Sequence, residues 1–285
     1  MSAYRETKEL NSLDVAENQA PLVLVFGGLD PSGAGLQADI ETCLSLGCHA
    51  LPIATGITVQ NTRGLSRIIA LKPADIIDQV RYLMAGIGHV ASCKIGMLPD
   101  VEIAQAVAEA LNLLPSETTV ILDPVMSASA GGTLMTDGPV RVLPAVLLRI
   151  SSLIKPNYQE ARRLVGATDL DEIGRSLSGN GSKCRYALLT GTDEAANSNS
   201  RHYLYRDGAV FAEYRWPVHP GAYHGTGCTL ATAIAAFCAR GETMECAIGA
   251  AQSYTERTVR SAISIGGAQK IPNRLAGLVG DLRCQ

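Results

Sequence analysis

Apolar residues fall along this chain in two alternating patterns. Short continuous runs bounded by glycine, such as Leu22-Val23-Leu24-Val25-Phe26 ahead of Gly27-Gly28, have the composition of strands buried on both faces. Longer stretches between them place apolar residues at helical spacing. Read in order, the pattern predicts a strand over 22–26, a helix over 37–46 stopped by Gly47, a strand over 50–58 and a helix over 73–85. It continues with a strand over 91–95, a helix over 101–114, a strand over 119–122 and a helix over 140–148. A strand over 152–155, a helix over 158–165 and a strand over 186–189 follow. Such alternation builds βαβ units and a mainly parallel sheet. Two β-prone runs, 202–206 and 209–216, flank Asp207-Gly208, a hairpin-turn sequence, and predict an antiparallel edge. Two long helical patterns follow, over 228–240 and 242–264. No repeat or composition break divides the chain, so the expectation is one α/β domain over 21–285 after a loosely ordered polar extension at 1–20.

Composition narrows the possible functions. With 47% hydrophobic and 18% charged residues over 285 positions, the chain has material for a large core and is not of the disordered class. A net charge of −3 gives no electrostatic support for nucleic acid or an anionic membrane as partner. The start is polar and lacks an apolar secretory core, and the apolar stretch 230–239 is interrupted by Thr232 and too short to span a bilayer. None of the eight cysteines forms a Cys-x-x-Cys pair and the five histidines offer no spaced partner, which argues against structural zinc. Scattered cysteines of this kind read as reduced, small core residues of a cytoplasmic protein.

In parallel sheets ligands sit beyond the carboxyl ends of the strands, so the loops that follow strands carry the interest. The first is Gly27-Gly28-Leu29-Asp30-Pro31-Ser32-Gly33-Ala34-Gly35, with Asp39 one turn into the next helix. It matches neither a Walker A loop nor a clean dinucleotide fingerprint, and reads as a ligand loop or as a tight turn. Gln60-Asn61-Thr62 offers an amide that could pair with an amino group beside a ring nitrogen, or could simply be solvated. Asp123 ends a strand before Pro124-Val125-Met126. The small-residue segment 127–138 has the composition of a mobile lid or of an idle loop. Asn157 and Glu160, three apart at a helix start, read either as a capping box or as holders of a hydrated divalent cation. His224-Gly225-Thr226-Gly227-Cys228 opens a long Ala-rich helix, where unpaired amides make an anion site and a first-turn thiol is expected to have a lowered pKa. Its bland reading is a glycine-rich helix start with a small cysteine.

Taken together these segments resemble the hydroxymethylpyrimidine/phosphomethylpyrimidine kinases of thiamine biosynthesis, within the ribokinase-like superfamily. The resemblance covers residues 21–265 and rests on Gly28-Leu29-Asp30-Pro31-Ser32-Gly33, Gln37-Ala38-Asp39, Val59-Gln60-Asn61-Thr62, Lys94-Ile95-Gly96-Met97-Leu98, Asp123-Pro124-Val125-Met126, Pro156-Asn157-x-x-Glu160 and the His224–Cys228 motif. It implies a three-layer αβα fold with a mainly parallel central sheet. It also implies ATP-dependent phosphorylation of 4-amino-5-hydroxymethyl-2-methylpyrimidine and then of its monophosphate, with Mg²⁺, in a homodimer. By resemblance the catalytic set is Cys228 with Gly225, Thr226 and Gly227, and the substrate set is Gly28, Asp39, Gln60, Met97 and Val125. Asn157, Thr190 and Gly191 would bind ATP, and Glu160 and Asp123 the metal. Pyridoxal kinases, or a dual-specificity enzyme, share much of this pattern, and a non-catalytic binder of vitamin precursors would keep the pocket without the phosphate machinery. Three positions depart from the family. The first loop is one glycine short, Thr190-Gly191 stands where Lys before Gly-Gly is common, and Lys155 replaces Thr before Pro-Asn, leaving Lys94 or Lys155 to neutralise phosphate.

Overall fold

A computed structural model describes residues 20–127, 132–135, 137–179, 184–191 and 199–276. Apart from Ala20 the N-terminal extension lies outside these residues, as do positions 128–131 and 136 of the lid candidate. The chain enters through β1 (Leu22–Leu29), α1 (Gly35–Ser45), β2 (His49–Asn61) and β3 (Gly64–Ala70). It continues through α2 (Pro73–Ile87), β4 (Ser92–Ile95), α3 (Val101–Leu111), β5 (Thr119–Leu122), α4 (Asp137–Val146) and β6 (Leu153–Ile154). Next come α5 (Tyr158–Val165), α6 (Leu170–Ser178), β7 (Tyr186–Leu189), β8 (Asn199–Arg206) and β9 (Ala209–Pro217). The last elements are α7 (Thr226–Ala239), α8 (Met244–Arg260), β10 (Ile263–Ser264) and β11 (Lys270–Ile271).

Nine strands form one sheet in the order β3-β2-β1-β4-β5-β6-β7-β8-β9. The six from β2 to β7 run parallel, and β3, β8 and β9 add antiparallel edges. Alternation along the buried strands sends successive side chains to opposite faces. Val23, Val25, Ile121, Leu153 and Leu188 pack under α1, α7 and α8, while Leu24, Phe26, Ile95, Leu122 and Leu189 pack under α2 to α6. The continuous apolar runs are therefore strands with a core on each side, and the molecule has three layers.

The Asp207-Gly208 turn forms as expected, both residues having positive φ (51° and 83°), as a type I′ hairpin between β8 and β9 requires. Three elements differ from the sequence reading. The hairpin partner β3 and helix α6 were not anticipated, and the last long helical pattern ends at Arg260, after which 263–264 pair with 270–271 as β10 and β11. No helix among the described residues is long and apolar enough to cross a membrane.

Candidate active site

The parallel strands all end on one side, and the segments leaving them surround a cleft of about 290 Å³ with the N-terminus of α7 at its edge. The turn after β1 contributes Gly28, Asp30 and Gly35, and β2 contributes Thr58 and Gln60. From β4 and the turn after it come Lys94 and Met97. Residues after β5 add Asp123 and Val125, those after β6 add Lys155, Asn157 and Glu160, and Thr190 follows β7. Gly225, Gly227 and Cys228 complete the wall. One cavity thus gathers loops up to 200 residues apart, from Gly28 to Cys228.

Helix α7 is built to leave amides open at this wall. Its N-cap Gly225 has φ +86°, a left-handed conformation that side-chain-bearing residues rarely adopt. The first intrahelical bond runs from Thr229 N to Gly225 O at 2.9 Å, so the preceding amides have no acceptor within the helix. Lys155 supplies positive charge at the same place: its Nζ lies 3.7 Å from where a Cβ on Gly227 would stand. The ammonium is buried and 3.0 Å from Asp123 Oδ1. Burial opposes its charge, but Asp123 and Glu160 outweigh that and hold it above the usual lysine range. Lys155, just before Pro156, therefore brings a cation to the open amides of α7.

Asn157 and Glu160 do both things the sequence allowed. The Asn157 side chain accepts from Glu160 N at 2.9 Å and Glu160 Oε2 accepts from Asn157 N at 2.9 Å, a complete capping box for α5. Glu160 Oε1 also accepts from Met126 N at 3.2 Å, tying α5 to the segment after β5. Burial first, then the neighbouring Asp123 charge, push the Glu160 carboxyl up to about 7 against the pull of Lys155 and the backbone amides. Asp123 Oδ2 is buried with no hydrogen-bond partner. Among the described residues no cluster of three or more His, Cys, Asp or Glu could hold a metal unaided.

Not every expected residue reaches the cleft. Asp39 is wholly buried behind it, with both carboxylate oxygens 3.0 Å from Lys94 Nζ and Oδ1 accepting from Thr232 Oγ1 at 2.6 Å. Helix α1 turns this side chain into the core against α7, so Asp39 is the counter-ion of Lys94 and does not line the cleft. Thr226 is half-buried, and its Oγ1 turns inward without a partner. Gly191 lies in an adjoining recess with Asn157 and Glu160. Cys228 lines the cleft, but its thiol is pushed up, not down. Burial dominates, Asp123 and Asp39 add to it, and Lys94 and the Gly35 amide offset only part.

The sequence reading gave no role to a group that the structure places in the wall. His224 Nε2 lies 2.6 Å from Asp30 Oδ2, 3.2 Å from Ser32 Oγ and 3.2 Å from Gln60 Nε2. Asp30 also accepts from the Ser32 amide at 2.8 Å. Burial would raise the Asp30 carboxyl, yet the bonds from His224 and Ser32 hold it below its ordinary value. The imidazole thus links the loop after β1, Gln60 on β2 and the start of α7. Its position directly before Gly225-Thr226-Gly227 was the available signal; the partner 194 residues away was not.

A model of the phosphomethylpyrimidine kinase family matches residues 30–273. The chain is 38% identical to the thiamine biosynthesis bifunctional protein of Geobacter sulfurreducens, over 86% of this chain and 50% of that protein. It is 32% identical to the hydroxymethylpyrimidine/phosphomethylpyrimidine kinase of Streptomyces coelicolor, over 87% of this chain and 91% of that one. It therefore spans about half the length of the bifunctional relatives it matches and most of that Streptomyces coelicolor kinase. Among solved structures, the pyridoxal kinase of Staphylococcus aureus in complex with pyridoxal superposes with a TM-score of 0.79 at 21% identity, covering 91% of this chain and 96% of that one. The phosphomethylpyrimidine kinase of Clostridium difficile gives 0.69 at 24% identity, covering 85% and 100%. Both share the ribokinase-like fold seen here.

Proposed function

Because the chain belongs to the phosphomethylpyrimidine kinase family, we propose that it transfers the γ-phosphoryl group of ATP to the alcohol of 4-amino-5-hydroxymethyl-2-methylpyrimidine. A second transfer to the phosphate of the resulting monophosphate belongs to the same reading, as does a place in thiamine biosynthesis. One observation carries it: the open amides of α7, Lys155, Cys228 and Gln60 all line a single cleft. An alcohol held between Gln60 and Cys228 faces the site where those amides would grip a migrating phosphoryl group.

Each residue has a physical task. Gln60, Met97, Val125 and Gly28 enclose a flat ring, with the Gln60 amide as the polar reader. Asn157 and Thr190 stand on the nucleotide side, and Lys155 with the α7 amides neutralises the transferring group. Cys228 takes the alcohol proton. Mg²⁺ fits the unpartnered Asp123 Oδ2 beside Glu160, with phosphate oxygens and water completing its shell, because protein carboxylates alone are too few. The chemistry supplied there by a bound ion would be positive charge to offset that of the phosphate groups.

Pyridoxal is the competing alcohol, since it too is a flat heteroaromatic with a hydroxymethyl group and a pyridoxal kinase shares the fold. ADP release is measured with Mg-ATP and each alcohol in turn. The expected result is turnover with a higher kcat/KM for the pyrimidine. Preference for pyridoxal by an order of magnitude sinks the thiamine assignment, and tight binding of both without ADP release replaces the kinase with a non-catalytic binder. The homodimer of this reading is checked by light scattering on the same preparation.

A further inference from the structure

We propose that Arg274 is a positioning residue for phosphoryl transfer, fixing the distance between the acceptor loop and the anion-binding start of α7; this rests on the kinase reading above. The residue is only 2% exposed, yet its side chain serves three separate elements. Its Nε donates to Thr229 Oγ1 at 2.8 Å, Nη1 to Glu41 Oε2 on α1 at 2.9 Å and Nη2 to Gly33 O at 2.9 Å. Nη2 also lies 3.5 Å from Gly225 O, which accepts from Thr229 Oγ1 at 2.8 Å. One rigid guanidinium therefore joins the carbonyl of Gly33, in the loop that lines the acceptor side, to the N-cap of the helix that holds the phosphoryl group.

The two loops are already in backbone contact, and their spacing depends on what lies between them. A Cβ on Gly225 would fall 2.6 Å from Arg274 Nη2 and 2.9 Å from Gly33 O. The chain carrying Arg274 is anchored to the same place: Ile271 packs on Gly33, Lys270 O accepts from His224 N at 2.9 Å, and Tyr254 Oη donates to Arg274 O at 3.2 Å. Transfer requires the alcohol oxygen and the phosphorus in line at close range, and an error of about 1 Å costs on the order of 100-fold. Lysine cannot replace the fork, because its compact head reaches one acceptor at a time.

The test uses wild type, Arg274→Ala and Arg274→Lys, each at a temperature where circular dichroism shows it folded. Expected are a kcat lower by about 10–100-fold in Arg274→Ala and less in Arg274→Lys, KM values for both substrates within about threefold of wild type, and partial recovery of the Arg274→Ala kcat on adding guanidinium. A folded variant with unchanged kcat overturns the proposal. So does a loss carried wholly by KM, or one that guanidinium leaves untouched. If Arg274→Ala does not fold, the kcat and KM of Arg274→Lys decide alone. Inactive wild type would instead overturn the kinase reading.

Discussion

The Cys228 thiol sits in the first turn of a helix and still holds its proton at neutral pH, because burial and two carboxylates outweigh the helix terminus and Lys94. As the base it must first ionise, and the thiolate fraction grows about tenfold per pH unit below its pKa. Single-turnover rates should therefore climb with pH from about pH 6.5 to about pH 9, and Cys228→Ala should lose roughly 10²–10⁴ in kcat together with that climb. A flat wild-type profile, or a fully active alanine variant, leaves Cys228 as packing only. Glu160 gives the opposite kind of pH signature, in stability. Its folded-state value of about 7 lies above the ordinary 4.5, so its contribution is full at low pH and is lost as pH rises through 7. Glu160→Gln removes that loss, and the melting-temperature difference between variant and wild type should shift in the variant's favour from about pH 5 to about pH 8. A constant difference would mean the carboxyl titrates normally. At this scale the sequence revealed residue types and not environments: it put Asp39 in the substrate set and gave Asp30 no role, and only the packing of α1 against α7 decides that Asp30 meets the cleft and Asp39 meets Lys94.

Elements were more readable than their ends. Strands with a core on each side announce themselves as continuous apolar runs, which is why β1, β5 and β7 stood out. Strand β3 did not, because Gly64-Leu65-Ser66-Arg67-Ile68-Ile69-Ala70 is an edge strand with mixed exposure and neither alternation nor an unbroken run. Helix α6 was hidden by Gly174 in its middle, which the structure explains: a Cβ there would meet the Tyr205 ring at 2.2 Å. The start of α7 was legible as a glycine-rich helix opening, readable as an anion site or as a plain helix start, but its closeness to Gly33 was not. That closeness predicts the result of Gly225→Ala. The substitution combines left-handed strain with a clash against backbone oxygen and a buried guanidinium, and should cost about 1–3 kcal/mol or more in urea unfolding. It should also remove activity in the protein that remains folded. Wild-type stability in this variant would mean the helix start can shift to make room.

On the scale of the whole molecule, the cleft and the core cannot be separated. Each face of the nine-stranded sheet carries an apolar cluster drawn from the full length of the described chain, from Val23 and Leu24 to Tyr205 and Tyr254. The cleft in turn takes residues from β2, from the ends of five further parallel strands and from α7. The two large clusters share this one sheet, so we expect residues 21–285 to unfold as one domain in one cooperative step. Ligand binding must then act on the entire transition. At a concentration of 100 times Kd a ligand adds about 2.7 kcal/mol, which for a chain of this size corresponds to roughly 4–5 °C in melting temperature. Circular dichroism in the near and far ultraviolet should report coincident midpoints, and both should rise together with Mg-ATP. Two separate midpoints, or a ligand shift confined to one probe, would mean that an edge such as the β8–β9 hairpin unfolds by itself and that the site is stabilised locally.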